Sequence, residues 1–280
     1  MKNGLIDITG KLNDGHVDIY SDVDRLTKEL DIEYVVVGAM ARDLVLAFGF
    51  GSKITRGTRD VDFGICVKSW GQFHQLAERL QSSGFERDRS IEHRFSRVCS
   101  DKLPWEIDVV PFGGVAVENA IAWPPRGDIE MSVLGFTEAC ENAMQVKVRD
   151  DPELVVPVCS PAGITLLKLI SWRDRDVQKR KKDAVDLLYL IENYKKIPQV
   201  EELLWADEWM DKYDFDGDKA SAAKLGHDAK AIASPETVAY LKAELFEQPQ
   251  LMERLAREMV SATRHIEDTE AYLQSLSEQF

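Results

Sequence analysis

The short apolar run Glu33–Val37 (EYVVV) constrains the fold most, because Gly38 ends it and a helical pattern follows at once in Ala39–Phe48. Such a run is typical of a buried strand, and a glycine at its end lets the chain turn sharply. A second strand is predicted at Val61–Val67 (VDFGICV), followed by an amphipathic helix at Trp70–Gln81. The first part of the chain is therefore predicted to form a sheet with helices packed on it.

Strand-like patterns dominate the first part of the chain and helical patterns the last part. Further strands are predicted near residues 93–99, 105–111, 129–134, 145–148 and 154–158, and helices at 20–31, 162–175, 180–194 and over most of 235–277. This order indicates an α+β fold. We predict a head with a mixed β-sheet flanked by helices in residues 1–160, followed by a mainly helical C-terminal region in residues 161–280.

The charge is negative and unevenly distributed. The 280 residues include 35 Lys and Arg against 49 Asp and Glu, a formal net charge of −14, and residues 201–280 hold 18 acidic and 8 basic side chains. This balance disfavours indiscriminate binding to nucleic acid, which depends on neutralising phosphates. The run Lys168–Lys182 (KLISWRDRDVQKRKK) could still provide a local basic surface, although such runs are often only the solvated face of a helix.

The cysteine pattern and the hydropathy exclude other classes of protein. The four cysteines lie far apart with no C-x-x-C pair, which argues against a disulfide framework and against a thiolate zinc site. No stretch approaches the roughly 20 apolar residues that cross a bilayer, and the first residues lack the apolar core of a secretory signal. We therefore expect a cytoplasmic protein without membrane contacts.

Three carboxylates form the strongest candidate for chemistry. Asp60 and Asp62 begin the second predicted strand, where residues two apart project from the same face. Two such charges side by side require a compensating cation, and Mg²⁺ binds carboxylate oxygens together with substrate phosphates. Asp108, in the apolar strand EIDVV, would join them if the two strands are neighbours. Three converging carboxylates would suit a two-metal site.

The turn at Gly38-Ala39 is the candidate phosphate site. A glycine lets the backbone approach a ligand closely, and a helix N-terminus offers free N–H groups to a phosphate. Arg42 lies in the first turn of the predicted helix, and the loop before Asp60 adds Lys53, Arg56 and Arg59. Taken singly, these features have ordinary alternatives, because a D-x-D pair is often a surface feature and a strand–glycine–helix turn is often structural. Their ordered combination is much more specific.

The residues also resemble a known superfamily. VVVGAMARDL, followed by TRDVDFGICV and later by EIDVV, resembles the nucleotidyltransferases that include CCA-adding enzymes and DNA polymerase β. The chain length and the segment KLISWRDRDVQKRKKDAVDLLYL are similar to the AbiEii-type family, the nucleotidyltransferase toxins of abortive-infection toxin–antitoxin systems. The resemblance covers roughly residues 30–232, and the tail segment Asp218–Ile232 also contributes to it.

The resemblance implies a role for each matching residue. Asp60, Asp62 and Asp108 would hold Mg²⁺, with two ions expected, or Asp108 would act as the base. Gly38 and the amides after it, beginning with Ala39, would hold the triphosphate, and Arg42 and Arg59, placed beside them above, complete the candidate nucleotide-binding residues. Lys168 would reach a phosphate or the nucleobase, and Asp183 and Asp186 would position either Lys168 or the acceptor. These two aspartates could equally form ion pairs on an exposed helix. Ala39 departs from the Gly-Ser or Gly-Gly of the family, which removes one hydrogen bond to a phosphate.

The predicted function is Mg²⁺-dependent transfer of a nucleotidyl group from an NTP to an acceptor hydroxyl. The resemblance implies an RNA or tRNA 3′ end as acceptor and a partner antitoxin protein. Two alternatives remain open from the residues. The acceptor could be a protein side chain or a cationic small molecule such as an aminoglycoside, which an acidic chain would attract. The chain could also be a non-catalytic module that binds nucleotides or acts as an antitoxin-type interaction protein.

Overall fold

A computed structural model of the protein describes residues 4–54, 57, 60–124, 127 and 130–280. Contacts between these residues divide the chain into two compact units, Met1–Ser160 and Pro161–Phe280, which we call the head and the helical unit. No helix of the described part is long and apolar enough to span a bilayer.

The head contains all the strands of the described residues and the first four helices. The strands are β1 (Ile6–Asp7), β2 (Glu33–Val37), β3 (Asp60–Val67), β4 (Glu86–Arg87), β5 (Arg94–Val98), β6 (Pro104–Gly113), β7 (Ala120–Ala122), β8 (Glu130–Ser132), β9 (Met144–Arg149) and β10 (Leu154–Val158). The helices are α1 (Asp14–Glu29), α2 (Gly38–Arg42), which continues as the π-helical segment Asp43–Gly49, α3 (Trp70–Ser82) and α4 (Phe136–Glu141).

Within the described ranges, eight strands form one mixed sheet in the order β1-β9-β10-β2-β3-β6-β5-β4, and β7 pairs with β8. β2 runs antiparallel to β3, β3 runs parallel to β6, and β6 runs antiparallel to β5. β10 pairs in parallel with β2, from which it is far removed in sequence. The predicted mixed sheet is therefore confirmed, with β2, β3 and β6 near its centre.

The two faces of the sheet differ because side chains alternate along each strand. Phe63 on β3 is fully buried and contacts Tyr20 of α1, with 6.2 Å between ring centroids. Gly64 points to the opposite face, where an added Cβ would lie 2.8 Å from the ring of Phe136. Helix α4 thus covers the middle of this second face, which also carries the acidic residues described below.

The helical unit is built from eight helices in the described residues. They are α5 (Pro161–Asp174), α6 (Val177–Tyr194), α7 (Pro198–Ala206), α8 (Trp209–Lys212), α9 (Gly217–Ile232), α10 (Pro235–Leu241) with the π-helical segment Lys242–Phe246, α11 (Pro249–Met259) and α12 (Ile266–Ser277). Helix α9 packs closely on α12, since a Cβ at Gly226 would lie 2.3 Å from the carbonyl oxygen of Leu276.

Several element boundaries differ from the sequence predictions. Helix α1 starts at Asp14 rather than near residue 20, because the Asn13 side chain caps it by accepting a hydrogen bond from the backbone N–H of His16. Helices α4, α7, α8 and α9 escaped prediction: the first three are short and carry too little periodicity, and α9 is rich in alanine and only weakly amphipathic. The strand predicted from residue 129 is β8, and Ile129 itself lies outside the described residues.

Candidate active site

Gly38 joins β2 to α2 and brings the backbone against a predicted metal ligand. Its backbone is left-handed, with φ +73°, a conformation that favours glycine. A Cβ at this position would lie 2.0 Å from Oδ2 of Asp62. The preceding residue, Val37, is the register partner of Asp62 across β2 and β3. The glycine is therefore what allows the turn and this carboxylate to meet.

The three predicted carboxylates lie on one face at one end of the sheet. Asp60 pairs in register with Glu106, and Asp62 with Asp108, across the parallel strands β3 and β6. Register partners project to the same side of a sheet. Asp60 and Glu106 are exposed, whereas Asp62 and Asp108 are half-buried. The structure thus groups the predicted residues and adds a fourth carboxylate, Glu106.

Arg94 on β5 partly neutralises this acidic cluster. It is the register partner of Asp108, and its Nε and Nη2 donate to the two carboxylate oxygens of Asp108 at 2.8 Å each. Its Nη1 lies 3.6 Å from Oε2 of Glu106. The pKa of Arg94 is raised above its ordinary value, mainly by the hydrogen bonds to Asp108. The arginine therefore stays charged and holds the third carboxylate in a bidentate ion pair.

His93 connects Asp108 to an aromatic cavity. Its Nε2 lies 3.9 Å from Oδ2 of Asp108, and its ring centroid lies 5.3 Å from that of Trp123. Burial lowers the pKa of His93, an effect that Asp108 partly offsets. Trp123 also lines a cavity of about 200 Å³, together with Phe73, His74, Arg87, Glu92 and Pro124. An uncharged imidazole and an aromatic recess thus lie beside the acidic cluster.

The donor chemistry of the cluster suits a hard divalent cation. Asp60, Asp62 and Asp108 offer carboxylate oxygens from adjacent strand positions, the ligand type that Mg²⁺ prefers. In the described ranges, however, no three Asp, Glu, His or Cys side chains converge closely enough to hold a metal ion. Arg94 provides a physical reason, because it engages both oxygens of Asp108. The residues fit Mg²⁺ in chemical type and occupy neighbouring strand positions, and Asp108 would have to give up its ion pair with Arg94 to bind the ion.

Of the two arginines predicted to contact the nucleotide, Arg42 lies within the described residues and Arg59 does not. Arg42 is only 1% exposed, and its Nε and Nη2 lie 2.8 and 2.7 Å from Oδ1 of its neighbour Asp43. Arg42 is thus held in an ion pair inside the head, and the nucleotide contact predicted for it stays a prediction. Arg59 and Arg56 lie outside the described residues, and the contact predicted for Arg59 stays a prediction. Ala39, buried in the first turn of α2, follows Gly38 directly.

The second predicted group lies in the helical unit and is tightly assembled. The Nζ of Lys168 on α5 lies 2.9 Å from Oδ1 of Asp183 and 2.7 Å from Oδ2 of Asp186, both on α6. Nη1 of Arg175 also lies 2.9 Å from Oδ2 of Asp183. Burial alone would lower the pKa of Lys168, but the two carboxylates outweigh it and raise the pKa. These aspartates are buried, so they are not ion pairs of an exposed helix face.

Only part of the basic run Lys168–Lys182 is available to a ligand. Its other ion-paired members are Arg173, which bonds to Glu244, and Arg180, which bonds to Glu258 and lies 4.6 Å from the ring of Trp172. Trp172 is 1% exposed, so it belongs to the core. The exposed lysines of the run are Lys179, Lys181 and Lys182.

Sequence reasoning missed Arg94, His93 and Glu106. Glu106 could have been found from the alternation in WEIDVV, since it precedes Asp108 by two positions. Arg94 could be identified only from the register of the β5–β6 hairpin. In this register Val98 pairs with Pro104, so Arg94 pairs with Asp108. That register depends on the turn between the strands, whose length the sequence pattern left undetermined.

A sequence-family model described as "Nucleotidyl transferase AbiEii toxin, Type IV TA system" matches residues 23–277. The chain therefore belongs to the AbiEii nucleotidyltransferase toxin family, and it is a nucleotidyltransferase, so the alternative of a non-catalytic module is not supported. No curated protein matches the sequence.

Solved structures of nucleotidyltransferases overlap the chain only loosely. The lincomycin-bound lincosamide adenylyltransferase LnuA is 13% identical, with a TM-score of 0.39, over 64% of this chain and 98% of its own. The antibiotic-resistance factor ANT(2″)-Ia is 13% identical, with a TM-score of 0.35, over 71% and 96%. The Thermotoga maritima CCA-adding enzyme complexed with tRNA is 12% identical, with a TM-score of 0.27, over 96% and 80%. These values assign no substrate to the chain.

Proposed function

We propose that the protein is a Mg²⁺-dependent enzyme that transfers an NMP from an NTP to an RNA or tRNA 3′ hydroxyl, as the toxin of a toxin–antitoxin system. The observation that carries this is the strand register that places Gly38, Asp60, Asp62 and Asp108 together at one end of the sheet. In the reaction, the acceptor oxygen attacks the α-phosphorus, the bond from that phosphorus to the bridging oxygen breaks and pyrophosphate leaves, and the hydroxyl proton passes to Asp108 or to water.

The chain's own residues mainly position charge in this reaction. Asp60 and Asp62 provide the carboxylate oxygens for Mg²⁺, with Asp108 as the third carboxylate of the site. Two bound ions would neutralise charge on the triphosphate and make the attacking hydroxyl easier to deprotonate. Gly38 and Ala39 offer backbone N–H groups beside these carboxylates to the triphosphate. Positioning and charge neutralisation of this kind supply most of the catalysis of phosphoryl-type transfer.

The helical unit is assigned a nucleotide contact. Lys168 would contact a phosphate or the base of the NTP, while Asp183 and Asp186 hold its ammonium group through the ion pairs described above. Two carboxylates fix this cation more firmly than a single ion pair would. An RNA acceptor is supported by three exposed lysines of the basic run, Lys179, Lys181 and Lys182. They are not among the ion-paired members of the run described above, so their charges can contact RNA phosphates.

The test is an assay with α-³²P-labelled ATP, CTP, GTP and UTP in separate reactions with Mg²⁺ and total tRNA. The Asp60→Ala variant runs in parallel, with Glu33→Gln as a control that removes an exposed carboxylate at the other end of the sheet. Label on RNA that requires Asp60 but not Glu33 supports the proposal and identifies the base. Omission of Mg²⁺ with EDTA should abolish it.

Other outcomes would overturn parts of the proposal. Label on the protein itself would replace the RNA acceptor with a protein side chain. Label transferred only to an added aminoglycoside would replace it with a cationic small molecule. Equal transfer by wild type and Asp60→Ala would refute the assigned site. A toxin role predicts growth arrest on expression in cells, which Asp60→Ala should relieve.

A further inference from the structure

We infer that Arg94 is a built-in counter-ion of the active site, which Asp108 exchanges for a divalent cation when the metal site assembles. This inference rests on the proposed function, since it concerns the metal site placed there at Asp60, Asp62 and Asp108. It assigns a positioning role to an arginine outside every predicted motif. In the metal-free chain the guanidinium occupies the carboxylate that a cation would otherwise bind.

The geometry of the ion pair makes it a competitor of the metal. Nε and Nη2 of Arg94 engage the two oxygens of Asp108 at 2.8 Å each, in the parallel fork that is the strongest arrangement between these groups. A cation bound to either oxygen would place like charges within a few ångströms of each other, which is unfavourable. Asp108 can therefore bind the guanidinium or the metal firmly, but not both.

The acidic surroundings explain why a counter-ion is needed. Asp60, Asp62, Glu106 and Asp108 occupy paired positions on two adjacent strands. Such a cluster destabilises the folded chain unless cations compensate it. Arg94 supplies one positive charge to Asp108 and also lies 3.6 Å from Glu106. The ion pair thus stabilises the metal-free fold, and the metal takes over the neutralisation when it binds.

Exposure shows that the exchange is feasible for Arg94. Its side chain is 28% exposed, so the guanidinium can leave Asp108 for water without becoming a buried, unpaired charge. Arg42 provides the contrast within the same head, because its side chain is 2% exposed and has no comparable access to water from its pair with Asp43. The arginine at the carboxylate cluster is therefore a releasable cation.

The experiment measures binding of Mn²⁺ to the full chain without nucleotide, from the electron paramagnetic resonance signal of the free ion. Arg94→Gln should bind Mn²⁺ about tenfold more tightly than wild type, because the competing ion pair is lost. Arg94→Lys should fall between them, since lysine keeps the charge but loses the bidentate fork. Unchanged or weaker binding by Arg94→Gln would overturn the inference.

Arg87→Gln is the matched control. Arg87 lies on the neighbouring strand β4, its side chain is also 28% exposed, and it forms an ion pair with Glu92 at 2.8 Å. The substitution therefore removes the same charge from the same region of the sheet. Its Mn²⁺ affinity should match that of wild type, because Arg87 is the register partner of Phe95 and so projects to the face of the sheet opposite Arg94 and Asp108. If Arg87→Gln increased Mn²⁺ affinity as much as Arg94→Gln does, the increase would come from the change in net charge alone, and the exchange would be refuted.

A double-mutant cycle with Asp108→Asn tests the exchange itself. Asp108→Asn should weaken Mn²⁺ binding in both backgrounds, and about tenfold more strongly when Arg94 is replaced by glutamine, because only then does it remove a ligand for which no ion pair competes. An equal effect in both backgrounds would show that the metal does not compete with Arg94. Circular dichroism in EDTA verifies the fold of each variant, and the Mn²⁺-induced rise in melting temperature provides a second measure of affinity.

Asp62→Asn separates failure of this inference from failure of the proposed function. If Asp62→Asn abolishes Mn²⁺ binding while Arg94→Gln leaves it unchanged, the metal site stands and the counter-ion role is wrong. If Asp62→Asn binds Mn²⁺ like wild type, the metal binds elsewhere, and both conclusions fall. No binding by wild type or by Arg94→Gln would likewise refute both.

Discussion

A single glycine sets how closely the turn between β2 and α2 approaches β3, the strand that carries Asp60 and Asp62. Gly38→Ala would place a methyl group 2.0 Å from Oδ2 of Asp62 in a left-handed backbone. We expect loss of nucleotidyl transfer, and a free energy of unfolding lowered by about 2–3 kcal/mol, because the strain of the backbone adds to a displaced carboxylate. Thermal unfolding and the transfer assay measure the two effects.

Gly10 provides the matched control for this substitution. It has the same φ of +73°, yet an added Cβ would find no atom within 4 Å. Gly10→Ala should therefore show only the backbone cost of about 1 kcal/mol and retain activity. If Gly38→Ala behaves like Gly10→Ala in both measurements, the close approach to Asp62 is not functionally required.

A buried hydroxyl near the site should be dispensable for stability. Tyr20 is fully buried and its OH has no hydrogen-bond partner among the described residues, whereas the OH of Tyr34 donates to Oδ1 of Asp24 at 3.1 Å. We expect Tyr20→Phe to leave the free energy of unfolding unchanged or raise it by about 1–2 kcal/mol. Tyr34→Phe should lower it by about 1–3 kcal/mol. Urea denaturation compares them, and equal losses would contradict this account.

At the scale of elements, the first helix should make the stability of the head depend on pH. His16 on α1 is 8% exposed, and burial lowers its pKa to about 4, an effect that Asp101 only partly offsets. Between its ordinary pKa of about 6.5 and pH 4, the unfolded chain takes up a proton that the folded chain does not. The free energy of unfolding should therefore fall as pH falls through this window, by up to about 3 kcal/mol in total.

Replacement of this histidine isolates its contribution. Because the glutamine of His16→Gln does not titrate, the difference in stability between wild type and variant should shrink or reverse from pH 7 to pH 4. Urea denaturation at several pH values gives this difference directly. A difference that stays constant with pH would show that His16 titrates equally in the folded and unfolded chain.

The lysines of one helix should determine use of an RNA acceptor. Lys179, Lys181 and Lys182 are exposed near the start of α6. Their joint replacement by glutamine should raise the KM for tRNA about tenfold or more, with the KM for NTP unchanged, because only phosphate contacts of the acceptor are lost. A control triple variant at the exposed lysines of other helices (Lys212, Lys230 and Lys242) should leave both constants unchanged. Equal effects of both triple variants would contradict a specific surface.

Local patterns predicted individual elements well but not their partners. The apolar run of β2 predicted the bounds of that strand, and the pattern of β3 predicted its bounds to within one residue. The D-x-D spacing also predicted that two carboxylates share one face. The pairing of β10 with β2 joins residues more than a hundred positions apart, and no local pattern specifies it. Likewise, no local pattern indicated that Arg42 is buried and paired with its neighbour Asp43.

At the scale of the whole molecule, the net charge of −14 should distinguish the possible acceptors. Salt screens long-range forces, so it weakens attraction between this chain and a cationic acceptor and weakens repulsion between the chain and RNA. For an RNA acceptor, three lysine contacts would give a log–log slope of affinity against salt of about −2, and the repulsion should make the observed slope shallower. For a cationic small molecule, KM should rise steeply with salt.

In the variant that lacks the three α6 lysines, the KM for tRNA should change with salt in the opposite direction to that of the wild type. With its local attraction removed, only the repulsion between two negatively charged molecules remains, so its KM for tRNA should fall as salt rises. Steady-state kinetics between low and physiological ionic strength, with the Mg²⁺ concentration held constant, measures it. A KM that rises with salt in this variant would mean that RNA binds through other cations of the chain, and the assignment of α6 would then be wrong.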